Sequence, residues 1–340
     1  MCCAEPIQDP RRTRGQLISS AVRLGLAVTA GLVAAGIGMN SAGADPISDA
    51  IPTGAEAGFV VFDRTAGRAT IELDAHKRFR SASVVKLLIA IDYLESHDAQ
   101  HLPAADAERL EAMLRSSDDD VASYLWIEDG WQTIIDRMVA RIGLTDTAPP
   151  AARGMWGYTA ISAADVVQIY RYILERADPA VRRFIMDNLH ASTKCGQDGF
   201  DQSFGIGRAL GRPAAVKQGW SGFGDAPDPD KLCAPSNPKP PIPADALSAS
   251  ATKNLTFGPD GIREMWSPTQ GTPPEPPAIN LTKRAMHTTG TAGVDDEKII
   301  VLLSLEPTGT PWDVSAQRIT VLTKAIDLAN WSETTGLGAH

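Results

Sequence analysis

The chain has 340 residues, 43% of them hydrophobic and 21% charged, with a formal net charge of −9 at pH 7. This is enough apolar sequence to bury a sizeable core. The acidic balance excludes a protein that grips nucleic acid through its phosphates and leaves small molecules and peptides open as ligands.

The first 44 residues read as a secretory signal peptide. Arg11, Arg12, Arg14 and Arg23 precede or open an uncharged Ala/Gly/Val/Leu-rich run over residues 24–39, and Ala42-Gly43-Ala44 offers small residues for cleavage before Asp45. The run is short for a membrane span, so membrane contact is expected only through an uncleaved signal. Its removal takes four basic and two acidic residues and leaves the remainder at −11. Residues 45–340 are expected to form one exported, monomeric domain, secreted or associated with the cell envelope. Cys2 and Cys3 would leave with the signal. Cys195 and Cys233 remain, and in an oxidising compartment they are expected to pair. With no C-x-x-C pair and only scattered histidines, neither a metal nor another cofactor is expected.

Residues 58–63 and 69–73 read as two strands around a Thr65-Ala66-Gly67 turn. The stretch that follows, residues 79–91, reads as a tight entry into a helix, with Ser83 in the first turn and Lys86 three residues on. That spacing puts hydroxyl and amine on one face. The almost wholly aliphatic residues after Lys86 predict a buried helix. An amine desolvated beside a hydroxyl is a way to activate a nucleophile. The pattern S-x-x-K recurs at Ser236/Lys239 and Ser250/Lys253, but there it lies in proline-rich sequence with no helix behind it.

Helical spacing predicts further helices over residues 103–115, from 121 onward behind a Ser or Asp cap, over 131–142 up to Gly143, over 162–177 and over 180–189. Residues 144–159 read as a loop. The pattern then changes: 214–220 reads as a strand, and residues 226–278 hold 13 of the 24 prolines, a long insertion or surface excursion. Residues 285–290 and the aliphatic run 298–305 read as strands, and a helix over 314–331 follows. Strands at both ends and helices between predict an α+β fold, an antiparallel sheet flanked by helices plus an all-helical lobe.

Three segments stand in order: Ser83-Val84-Val85-Lys86, Ser117-Asp118-Asp119 and Lys217-Gln218-Gly219. They resemble the S-x-x-K, S-D-N and K-T-G triplet of the penicillin-recognising serine enzymes, class A β-lactamases and DD-peptidases. The resemblance implies the β-lactamase/transpeptidase-like fold and an acyl-enzyme mechanism on a small-molecule or peptidoglycan-type substrate. It makes Ser83 the nucleophile, Lys86 a base for its proton and Ser117 a proton relay to the leaving nitrogen. Lys217 would hold a substrate carboxylate and depress the pKa of Lys86. The N–H groups of Ser83 and Trp220 would form the oxyanion hole, Gly219 would let substrate approach the backbone, and Asp119 and Gln218 would meet the substrate. Two letters depart from the pattern, Asp119 for Asn and Gln218 for a hydroxyl residue. Moreover, no Glu lies between Glu128 and Glu175, where class A enzymes keep their water-activating carboxylate; Asp146 is the only candidate in residues 145–154. A DD-peptidase-like or esterase-like activity is therefore expected ahead of efficient β-lactam hydrolysis. The alternative is a catalytically silent relative that binds a cell-wall fragment or a partner protein.

Overall fold

The computed structural model describes residues 47, 49–243, 255–264 and 278–335. The expected signal peptide and part of the proline-rich insertion lie outside these residues.

The frame is a five-stranded antiparallel sheet in the order β2 (Arg68–Leu73), β1 (Glu56–Asp63), β9 (Lys298–Glu306), β8 (Arg284–Ala292), β5 (Ala214–Ser221). As the sequence predicts, strands from the two ends of the chain meet: Val60 pairs with Val301 and Thr289 with Lys217. The aliphatic run of β9 is explained by its two faces. Ile299, Val301, Leu303 and Leu305 join one apolar cluster, while Ile300 and Leu302 join another. Alternate side chains point to opposite faces of a strand, so a strand covered on both sides is apolar throughout.

One face carries the helical lobe. It comprises α1 (Lys86–Ser96), α2 (Ala104–Arg115), α3 (Asp119–Glu128), α4 (Thr133–Ile142), α5 (Ala163–Arg171) and α6 (Pro179–His190). Asp118 caps α3 by accepting from the N–H groups of Asp120 and Val121, and Ser162 caps α5 through Asp165 N–H. The helix expected over 162–177 changes to a π turn at Tyr172–Arg176. The other face is covered by the C-terminal helix, Trp312–Thr335, which follows the short α7 (Ile206–Ala209) and is numbered α8.

Two strand pairs escape sequence reading. β3 (Phe79–Arg80) pairs with β4 (Ala160–Ile161), each too short to show a period. Within the insertion, β6 (Leu255–Gly258) and β7 (Gly261–Glu264) form a hairpin. This hairpin departs from the expectation of a surface excursion, whereas most of residues 226–243 are exposed. Ile262 is buried in the main core, and Ile262 N–H donates to Gly154 O and Gly157 N–H to Asp260 O, each at 2.8 Å. Cys195 and Cys233 are joined as a disulfide.

Candidate active site

Ser83 lies in a 3₁₀ turn, Ala82–Val85, that runs directly into α1. In a 3₁₀ turn residues i and i+3 eclipse, so Lys86 stands over Ser83. Lys86 Nζ donates to Ser83 Oγ at 2.8 Å. The entry is strained: Ala82 has φ of 45°, the left-handed region that costs an L-residue free energy unless its surroundings impose it. Those surroundings are visible. Ser81 N–H donates to Thr159 O and Ser81 Oγ to Gly157 O. Below the turn, His287 Nε2 bonds Arg80 O and His287 Nδ1 accepts from Ser304 N–H, which fixes the tautomer. Burial pushes this imidazole down to about 4, so it is neutral.

Ser117, at the junction of α2 and α3, is also left-handed, with φ of 58°. Lys86 Nζ reaches its carbonyl at 2.7 Å, its Oγ at 3.4 Å and Asp119 Oδ1 at 2.5 Å, and lies 4.9 Å from the Trp156 ring centroid. From the sheet edge, Lys217 Nζ donates to Ser117 Oγ at 2.7 Å. Ser83, Lys86, Ser117 and Lys217 are therefore brought into one buried centre, none more than 5% exposed. Among the described residues Lys217 has no carboxylate partner, and it is pushed well below the ordinary lysine range, first by burial and then by the charge of Lys86. Lys217 is thus an amine moved towards neutrality.

Of the expected substrate contacts, Asp119 and Trp220 line the cavity beside Ser83, whereas Gln218 and Gly219 do not. Gln218 faces away from the centre, its Nε2 donating to Phe204 O at 2.6 Å. Trp220 shares that opposite face, packed edge-on against Phe204 and Trp312, with its indole N–H on Asp198. Gly219 makes room for the protein itself: a Cβ there would lie 3.0 Å from both Ser81 O and Val84 Cγ2, so glycine lets β5 pack against the Ser83 turn. Asp119 is occupied by Lys86. Asp146 does not wall the Ser83 cavity either; its carboxylate meets His76 and Ser162, each at 2.8 Å. It is thus no replacement for a water-activating Glu at Ser83. Of the other S-x-x-K lysines, Lys239 pairs with Asp120 on the surface, and residues 250–253 lie outside the described residues.

The cavity beside Ser83 measures about 10 Å³, room for one water molecule. Asp119, Asp198, Trp220, the turn from Ser221 to Gly224, Pro259 and Asp260 complete its wall. Asp198 and Asp260 carry carboxyl groups that burial pushes up to about 6, each raised further by the charge of Asp119. Neither residue stands in a motif that sequence reading could use. A second cavity of about 430 Å³ shares Phe223 with the first and is floored by Phe200, Phe204 and Trp312, with Arg284 at its side. Among the described residues, no group of His, Cys, Asp and Glu is arranged to hold a metal ion.

No family model matches the chain. Its architecture is similar to a class A β-lactamase from Mycobacterium abscessus, with a TM-score of 0.55 and 15% identity over 84% of this chain and 98% of that one. PBP-A is similar too, with a TM-score of 0.52 and 13% identity over 83% and 93%. The fold is that of the class A β-lactamases and PBP-A. At such identities the likeness concerns the fold alone. By sequence, the chain is 37% identical over 178 residues to proteins of Mycobacterium tuberculosis and Mycobacterium bovis described as putative lipoprotein LppW. That match covers 51% of this chain, which spans 56% of the length of those relatives.

Proposed function

We propose that the chain is an exported serine hydrolase that forms an acyl-enzyme at Ser83 on peptide-like, ester or β-lactam-type substrates. One observation carries the reading: two buried lysines each donate to a serine hydroxyl, Lys86 to Ser83 and Lys217 to Ser117, and Ser117 Oγ also lies 3.4 Å from Lys86 Nζ. Such a chain offers a route for the Ser83 proton through Lys86 to Ser117 and on to a leaving nitrogen. The N–H groups of Ser83 and Trp220, on facing segments, are the donors proposed for the developing oxyanion, worth about 3 kcal/mol each. A DD-peptidase-like or esterase-like activity is favoured over efficient β-lactam hydrolysis, because the loop over residues 145–154 sends no carboxylate to Ser83. Export is supported by the N-terminal sequence and by relatives described as putative lipoproteins. Among the described residues no helix is long and apolar enough to cross a membrane.

The test is intact-mass analysis after exposure to a fluorescent penicillin and to peptide and thioester acyl donors. A stoichiometric adduct on the wild type that is absent from Ser83→Ala is expected. The second reading, a silent binder of a cell-wall fragment, is favoured by the ion pair of Lys86 with Asp119 and by a cavity holding only one water. Failure of every acyl donor to label the wild type would select it.

A further inference from the structure

We propose that Asp260, carried into the site by the insertion hairpin, is a catalytic residue that takes the proton of the water hydrolysing an acyl group on Ser83. The inference rests on the reading of Ser83 as nucleophile and supplies that reading with its missing base.

An ester on Ser83 needs a water molecule and a group to deprotonate it. Most groups at the centre are occupied. Lys86 spends its donors on Ser83 Oγ, Ser117 O and Asp119 Oδ1, and Lys217 is on Ser117 Oγ. Asp119 holds Lys86, and Asp146 is bound to His76 and Ser162. Two carboxyls remain in the wall. Asp198 accepts with both oxygens, from Phe200 N–H and the Trp220 indole. Asp260 is held differently. Ser221 Oγ donates to its Oδ2, and its other carboxylate oxygen accepts from no described residue.

The main chain around Asp260 is locked for the purpose. Gly157 N–H donates to Asp260 O, and a Cβ on Gly157 would lie 2.7 Å from Asp260 Oδ1, so only glycine lets the loop pass the carboxylate. Asp260 itself has φ of 66°, a conformation tolerated best by Gly, Asn and Asp. The cavity between it and Ser83 has room for one water. The charged groups facing Asp260 come from every neighbouring element: Arg80 on β3 and Lys86 on α1 favour its ionised form, and Asp119 on α3 opposes it. Burial outweighs the cations and brings the group to about 6, where it is ionised at neutral pH yet still basic enough to accept a proton.

The step balances as follows. The water oxygen bonds to the ester carbon while one water proton passes to Asp260. The tetrahedral intermediate collapses, the bond from carbon to Ser83 Oγ breaks, and Oγ takes a proton from Lys86 Nζ. The carboxylic acid leaves, and the proton held by Asp260 returns to Lys86 through solvent. The net change is ester plus water to acid plus alcohol.

The experiment compares the lifetime of the penicillin adduct, followed by intact mass between pH 5 and 8, in the wild type and in Asp260→Asn. Asparagine keeps an acceptor for Ser221 and suits the left-handed backbone, and Asp260→Glu serves as a second variant. The expected result is labelling at the wild-type rate, an adduct at least about 100-fold longer lived, and loss of a pH dependence in which the wild-type deacylation rate rises, and the lifetime falls, through an apparent pKa near 6. Partial recovery in Asp260→Glu is expected. An adduct shed equally fast by Asp260→Asn and the wild type, or a flat wild-type profile, overturns this inference alone. No adduct in any variant overturns the Ser83 reading and this one with it.

Discussion

The Ser83–Lys86 pair is made within one turn, three residues apart, whereas Ser117–Lys217 joins residues 100 apart, one from the helical lobe and one from the sheet edge. The first pair is set by local backbone geometry. The second exists only while the lobe and the sheet keep their register, so it reports on their alignment. Their partners differ as well. Lys86 has the Asp119 carboxylate against it, while Lys217 pairs with no carboxylate among the described residues and is pushed well below the ordinary lysine range by burial and by Lys86. Two similar contacts thus carry unlike chemistry: one amine sits in an ion pair, and the other is moved towards the neutral form that can accept a proton.

Removing each amine in turn breaks the comparison most sharply. Lys86→Met should lower the rate of penicillin labelling by about 10⁴-fold, because Ser83 then has no base within reach. Lys217→Met should cost about 10²-fold, since Ser117 keeps its contact with Lys86 but loses its second partner. Labelling kinetics of the two single variants and the double variant check both. If the four residues act as one relay, the double variant will be little slower than Lys86→Met alone.

These roles were unevenly legible in the sequence. Ser83 and Lys86 could be paired from spacing alone because the contact is local, and the sheet could be read because β9 is apolar on both faces. Lys217 is legible only through the order of three motifs. The segment Ala214 to Trp220 is buried on both sides, so no alternation says whether Lys217 or Gln218 faces the centre. Gln218, expected at the substrate, accordingly turns to Phe204 O instead. Asp198 and Asp260 left no trace, because each is placed by a long-range contact of a loop, with Trp220 and with Ser221. Asp146 stood in the expected loop, yet its side-chain direction is decided by Ser162 and His76.

Asp119→Asn sharpens the difference between the lysines. Without the carboxylate, Lys86 loses the ion pair that holds it and is freer to take the Ser83 proton. Labelling should then quicken by about tenfold. Stopped-flow fluorescence of the labelled penicillin measures it. A slower rate would mean that Asp119 is needed to place Lys86 more than it restrains it.

The same contrast between partnered and unpartnered groups predicts a smaller effect on stability. Asp198 and Asp260, neither of which forms an ion pair among the described residues, are raised to about 6, as is Asp129. A carboxyl that binds its proton more tightly in the folded chain contributes stability that is full below about pH 4, its unfolded value, and is lost as pH rises through 6. His287 opposes this. Lowered to about 4, it contributes stability above about pH 6.5 that is lost as pH falls towards 4. Between pH 4 and 6 these three carboxyls, joined by the raised carboxyl of Asp118, outweigh the imidazole. The lowered carboxyls of Glu56 and Asp63 act mainly at or below the lower end of that window, so the unfolding free energy should fall across it. Urea unfolding of Asp198→Asn/Asp260→Asn should remove about 1–2 kcal/mol of that fall, because an amide has no proton to lose. An unchanged slope would place the two carboxyls in contact with solvent, and with it remove the reason for treating them as the unpartnered counterpart of Asp119.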